Sequence, residues 1–153
     1  MRALRSLRFN CRVWVERTGI IMSQEKRRKV PPLVLVVEDN PVNLELVSAL
    51  LEEHACETLV ATTGDVALDL LRQSRPNLIL VDVQLPGMSG YEVTRRIKAD
   101  PALADIPVVA LTAHAMAHED VRARDAGCDA FLTKPIDIRA FKEILQRFVF
   151  EDS

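Results

Sequence analysis

The run LVLVV at Leu33–Val37 is apolar at every position and rich in β-branched residues, with no polar alternation. A strand solvated on one face would alternate. An unbroken run of this length belongs to a strand covered on both faces, as in a parallel sheet. The run LILV at Leu78–Val81 repeats the pattern and leads straight into one carboxylate, Asp82, before Pro86 and Gly87 break the chain. Further strands are expected around Thr58–Ala61, at Pro107–Leu111 and at Ala130–Thr133. Between them lie helical patterns. Asn40 and Pro41 suit an N-cap and a first helical position, ahead of Leu44, Val47, Leu50 and Leu51 at helical spacing. Thr62–Asp65 opens a second helix using Val66, Leu68, Leu70 and Leu71. Helices are also predicted over Tyr91–Lys98, Glu119–Ala126 (closed by Gly127) and Ile138–Phe150, the last with Phe141, Ile144, Leu145 and Phe148 on one stripe. Strands alternating with helices predict an α/β domain, a doubly wound five-stranded parallel sheet with right-handed crossovers and helices on both faces.

The chain has 153 residues, enough for one domain with a proper core. No apolar run approaches the roughly 18 residues of a membrane span. Cys11, Cys56 and Cys128 are scattered and lack metal-type spacing, which fits reduced thiols in a cytoplasmic protein. Cys56 and Cys128 read as small buried hydrophobes. Charge is divided unevenly. Residues 1–30 hold nine Lys/Arg against Glu16 and Glu25, a balance of +7, and the remainder carries −9. Residues 1–30 are therefore expected to be a basic, disordered extension and residues 31–153 the folded domain. The extension has an Arg-rich start like a transit peptide, and a KRRK run at Lys26–Lys29 suited to nucleic acid or anionic lipid. It could also fold back on the acidic domain. Met22, followed by a short polar leader and then the first strand, is the leading expectation for the true start.

In an open parallel sheet, ligands bind beyond the carboxyl ends of the strands. There the first strand delivers Glu38 and Asp39, the third Asp82, the fourth Thr112 and the fifth Lys134. Each alone has a dull reading as a solvated strand end, a cap or a surface lysine. Together they place three carboxylates, a hydroxyl and an ammonium on one edge. Clustered carboxylates resist joint ionisation unless a cation joins them, and oxygen ligands of this kind suit Mg2+. With such an ion, Asp82 can act as a nucleophile toward a phosphoryl group, with Lys134 and Thr112 available to its oxygens. No GxGxxG or GxxxxGK[ST] stands after a strand, which argues against dinucleotide and P-loop functions.

The segments EDN (38–40), VDVQLPGMSG (81–90), ALTAHAM (110–116) and FLTKPI (131–136) resemble the CheY-like receiver domain of response regulators. The phrasing is most similar to stand-alone receivers of the DivK kind. The intervals from Asp39 to Asp82 (43), Asp82 to Thr112 (30) and Thr112 to Lys134 (22) are also similar to the family's. The resemblance covers about Leu33 to Phe150. It implies the strand order 2-1-3-4-5 and a phosphoacceptor at Asp82. Direct Mg2+ ligation would come from Asp39, Asp82 and the backbone carbonyl of Gln84, with Glu38 acting through water. Thr112 and Phe131 would be a switch pair, and Lys134–Pro135 a cis peptide. Gln84 and His114 lie where receivers vary and tune phosphate lifetime, although His114 reads first as a solvated surface histidine. Phe131 replaces a frequent tyrosine and so lacks its hydroxyl.

The implied partners are a histidine kinase or histidine phosphotransfer protein, docking along the first helix where Asn43 and Val47 flank the acidic site. A downstream protein would bind the face formed by the Glu119–Ala126 helix, the fifth strand and the last helix, and a homodimer through that face is allowed. Because the chain ends at Ser153 just after the last helix, output is expected through a partner, without direct DNA binding or external enzymatic turnover. Two other classes compete. One is a phosphorylation-independent interaction module, against which the intact Asp82, Thr112 and Lys134 argue. The other is a haloacid-dehalogenase-like phosphatase, which would want an acid where Gln84 stands.

Overall fold

The structure is a computed structural model that describes residues 30–113 and 117–151. The basic run, Met22 and His114 lie outside the described residues. Five strands form one parallel sheet: β1 (Leu33–Val37), β2 (Glu57–Ala61), β3 (Leu78–Asp82), β4 (Val108–Thr112) and β5 (Ala130–Thr133), in the order β2-β1-β3-β4-β5. The helices are α1 (Pro41–Glu53), α2 (Gly64–Leu70), α3 (Gly90–Ala99), α4 (Ala117–Ala126) and α5 (Ile138–Leu145). The predicted elements are present with ends moved by a residue or two. One difference is real: the final helix is not uniformly α but passes into a π-helical turn over Gln146–Phe150. The chain from Pro32 onward forms one compact unit.

The unbroken apolar runs have the predicted cause. Residues of β1 and β3 are buried on both faces, and the period-two pleat sends them alternately to two cores. Val34, Val36, Leu78 and Leu80 pack with Val47, Leu50 and Leu51 of α1 and with Phe141, Ile144 and Leu145 of α5. Leu35, Val37, Ile79 and Val81 pack on the other face with Ala67 of α2 and Val93 and Ile97 of α3. A third cluster joins Tyr91 of α3 to Ala123 and Ala126 of α4. Each fully buried Val, Leu or Ile contributes roughly 1.5–3 kcal/mol. A register slip of one residue would exchange the sets presented to the two layers, so burial specifies the register. In the second helical segment Leu71 is buried and Leu68 and Leu70 pack partly buried against the core, as predicted, but Val66 is exposed and Ala67 is buried in its stead.

Caps set where α1, α2, α3 and α5 leave the sheet edge. Asn40 accepts hydrogen bonds from the amides of Val42 and Asn43, Thr63 from Val66, Ser89 from Glu92 and Asp137 from Ala140. Such caps satisfy the free amides of the first turn. The connection from β1 runs to β2 and that from β3 to β4, in opposite directions along the sheet. The chain therefore diverges beyond the carboxyl ends of β1 and β3, and a cleft opens there.

Candidate functional site

Glu38 and Asp39 follow directly on β1, and Asp82 is the last residue of β3. Oxygen atoms of these three carboxylates lie within 4.8 Å of one another. Their environments differ. Glu38 is fully buried, Asp82 nearly so, and Asp39 is exposed. The Glu38 backbone amide donates to Ala61 of β2 at 2.9 Å, which holds it in line with the sheet. Its side chain turns back so that Oε2 accepts from the Asn40 amide at 3.1 Å. Asn40 thus serves twice, capping α1 with its side chain and fixing Glu38 with its backbone.

Asp82 is held through both oxygens. Oδ1 accepts from the Gln84 amide at 3.0 Å, and Oδ2 is 3.0 Å from Lys134 Nζ. The same ammonium lies 3.2 Å from Glu38 Oε1. That second contact is an ion pair without hydrogen-bond alignment, since buried Oε1 receives no hydrogen bond among the described residues. Lys134 reaches the site from the residue after β5, where its amide donates to the Thr112 carbonyl at 2.8 Å. Thr112, at the end of β4, is buried beside Thr133 in the β4–β5 register. The Lys134–Pro135 peptide is cis.

Burial, with the neighbouring Asp82 carboxylate, raises the Glu38 carboxyl above its usual range, against the opposing pull of the Asn40 amide and Lys134. One ammonium is thus shared between two buried carboxylates, while a third stands at the mouth. A hard dication with oxygen ligands fits this donor set. The unbonded Glu38 oxygen and the exposed Asp39 carboxylate provide the acceptor capacity it needs.

The structure therefore brings Glu38, Asp39, Asp82 and Lys134 into one cluster, with the Gln84 backbone beside it and Thr112 at the adjoining strand end. Phe131 stands apart on the edge strand β5, 37% exposed. Val47 does not flank the site. It is wholly buried under α1, because it lies on the stripe packed against the sheet. The large apolar residues that α1 exposes are Val42, at 73%, and Leu46, at 39%.

Two glycines matter here: Gly87, which the sequence marked as a chain break, and Gly90, which was not singled out. Gly87 has φ +80°, a turn conformation that other residues resist. Gly90 opens α3 so close to β3 that a Cβ would stand 2.2 Å from the Asp82 carbonyl oxygen and 2.7 Å from Val83 Cα. The available signal was a glycine just after a Ser cap, where a helix has no conformational need of one. Also missed was the Lys98 ammonium, which donates to the carbonyls of Ala104 and Ile106 and to Asp129. It ties the end of α3 to the entries of β4 and β5.

Residues 34–146 match the response regulator receiver domain family. The polar-differentiation response regulator DivK of Brucella anthropi is 44% identical over 120 residues, 78% of this chain and 98% of that protein. DivK of Brucella ovis is 44% identical over 116 residues, covering 76% of this chain and 94% of that one. Among solved structures, the receiver domain of the Pseudomonas aeruginosa sensor histidine kinase PA1611, with magnesium in its active-site cleft, superposes with TM-score 0.74 at 32% identity. The match covers 80% of this chain and all of that one. The phosphorylated cyanobacterial phytochrome response regulator RcpA superposes with TM-score 0.73 at 28% identity, over 81% of this chain and 98% of that one. A doubly wound sheet with an acidic cluster at its switch point, a lysine bridging that cluster and these relatives lead to one conclusion: the chain belongs to the response regulator receiver domain family of two-component signalling and is DivK-like.

Proposed function

We propose that this receiver works as a single-domain phosphoacceptor in a phosphorelay, taking a phosphoryl group on Asp82 from a histidine kinase or histidine phosphotransfer protein. The observation that carries the reading is the Asp82 carboxylate. It ends a buried strand, is oriented by the Gln84 amide and Lys134, and shares its cluster with Glu38 and Asp39. Transfer forms a P–O bond at an Asp82 carboxylate oxygen and breaks the P–N bond to the donor imidazole, whose nitrogen takes up a proton. Asp39, Asp82 and the Gln84 carbonyl would hold Mg2+ directly, with Glu38 behind a water. Bound there, the ion offsets the carboxylate charge and that of the incoming phosphoryl oxygens.

The protein's own groups do the remainder. Lys134 leaves Glu38 partly for the new phosphate, and Thr112 offers it a hydroxyl. That shift favours an inward packing of Phe131, now 37% exposed, and so changes the face of α4, β5 and α5. A concavity of about 500 Å³ on that face, lined by Ala123, Phe131, Ala140 and Ile144, supports it as the contact for a downstream protein or a second copy. Donor docking falls on α1 through Asn43 and the exposed Val42 and Leu46. Gln84 and His114 tune the phosphate lifetime. The only turnover is of its own acyl phosphate, with water as acceptor, in a cytoplasmic setting.

Intact-mass spectrometry after incubation with acetyl phosphate tests this on the wild type and Asp82→Asn, each with and without Mg2+. The expected result is one added phosphoryl group, dependent on Mg2+ and absent from the variant. No gain in folded, Mg2+-replete protein overturns the proposal in favour of a phosphorylation-independent interaction module.

A further inference from the structure

The segment 83–90, which follows Asp82 and carries the Gln84 carbonyl, has three anchors. Leu85 is buried in the core between the sheet, α2 and α3. Gly90 lies directly against the Asp82 backbone. Between them, Met88 packs on Gly64, the first residue of α2. A Cβ on Gly64 would stand 2.6 Å from Val93 Cγ2, 3.2 Å from Met88 Sδ and 3.3 Å from Met88 Cβ.

Gly64 needs no side-chain-free backbone for its own sake, because the described glycines with positive φ are Gly87 and Gly127. Alanine is the better helix former at such a position. What excludes it is contact. Val93 is fully buried on α3 and cannot retreat without disturbing that core. Met88 is partly buried and its side chain is adaptable, so an added methyl displaces Met88 and with it the segment.

We infer that Gly64 is a positioning residue for the phosphoacceptor site. Acting through Met88, it sets from α2 where the 83–90 segment holds the Gln84 carbonyl beside Asp82. The inference rests on the phosphoacceptor reading for its consequence and on packing alone for its cause.

The test compares full-length wild type with Gly64→Ala, Met88→Ala and Gly64→Ala/Val93→Ala. The readouts are the Mg2+ dissociation constant by calorimetry, metal-free amide hydrogen exchange over 83–90, and the urea midpoint. Residues that orient metal ligands from outside are worth about 10-fold or more in affinity, so Gly64→Ala should weaken Mg2+ binding by about 10-fold. Exchange over 83–90 should rise relative to β1 and β4. Removing Val93 Cγ2 opens the space the new methyl needs, so the double variant should recover both. A merely structural role would move the urea midpoint and leave the folded protein's Mg2+ affinity and segment exchange at wild-type values. That result overturns the inference, as does a double variant without recovery.

Should Gly64→Ala fail to fold, Met88→Ala frees the segment without adding an atom. Unchanged Mg2+ affinity and exchange there also overturn the inference. A wild type that binds no Mg2+ would overturn the reading of the site, while the metal-free exchange comparison would still decide whether Gly64 pins the segment.

Discussion

Lys134→Met removes the ammonium that Glu38 and Asp82 share while keeping most of the side-chain volume. At an effective dielectric of 20, charges 3.0 and 3.2 Å apart attract by about 5 kcal/mol each. Against this stand the desolvation of a lysine whose side chain is 18% exposed and the mutual repulsion of the carboxylates. Breaking a fully buried pair costs about 3–5 kcal/mol and an exposed one under about 1. The site lies between these limits, so metal-free protein should lose about 2–3 kcal/mol at neutral pH. The pH dependence follows from Glu38. Its carboxyl is raised by burial and by Asp82, so its stabilising contribution is complete below the ordinary carboxyl range and is lost as pH rises through the raised value. Without Lys134 the carboxyl rises further, and the variant falls more steeply over that window. In acid, where the Glu38 carboxyl is protonated, the difference between the two proteins should narrow. Saturating Mg2+ supplies another cation, and at 100 times its dissociation constant it returns about 2.7 kcal/mol. Urea unfolding followed by circular dichroism, in EDTA and in Mg2+ at neutral and acid pH, measures all of this. A neutral-pH loss below about 0.5 kcal/mol in EDTA, or an equal loss in acid, would refute the electrostatic account.

Gly90→Ala places a methyl against the Asp82 and Val83 backbone, which cannot yield as a side chain would. It should cost about 2–3 kcal/mol in urea unfolding and slow phosphorylation by about 100-fold through displacement of Asp82. Leu46→Asp, on the exposed face of α1, should leave acetyl phosphate labelling intact while slowing transfer from a histidine phosphotransfer partner by 10-fold or more, about the effect of losing one interface anchor. Equal rates would remove α1 as the docking helix. Ala55 holds φ +61° in an exposed turn, so Ala55→Gly should stabilise by about 0.5 kcal/mol and Ala55→Val should destabilise by about 1–2, as read from urea midpoints. Lys98→Met leaves two carbonyls and Asp129 without their shared donor and should lower stability by about 2 kcal/mol. Its acetyl phosphate labelling should stay intact, because this tie lies at the strand entries, away from the site.

The strands were legible because burial on both faces leaves a mark within five residues, and two helix starts because Asn40 and Thr63 act on amides two or three positions ahead; the Ser89 and Asp137 caps act in the same way but were not singled out. The cluster was legible because every member sits where a strand ends. Val47 was misplaced because helical spacing identifies a stripe without saying which flank faces the cleft. The roles of Gly64 and Gly90 stayed hidden for a related reason: a glycine that admits another element's backbone or side chain looks, in one dimension, like any flexible residue.

What the chain determined by itself is therefore local and periodic: apolar runs that must be buried, helix starts, and acids released where strands stop. Only the tertiary structure decided that Lys134 spans Glu38 and Asp82, that Glu38 keeps an oxygen without a hydrogen bond among the described residues, and that α2 presses on the segment after Asp82. Those facts depend on distances between atoms dozens of residues apart. Such distances are set when the two cores close on the sheet, and no local pattern encodes them.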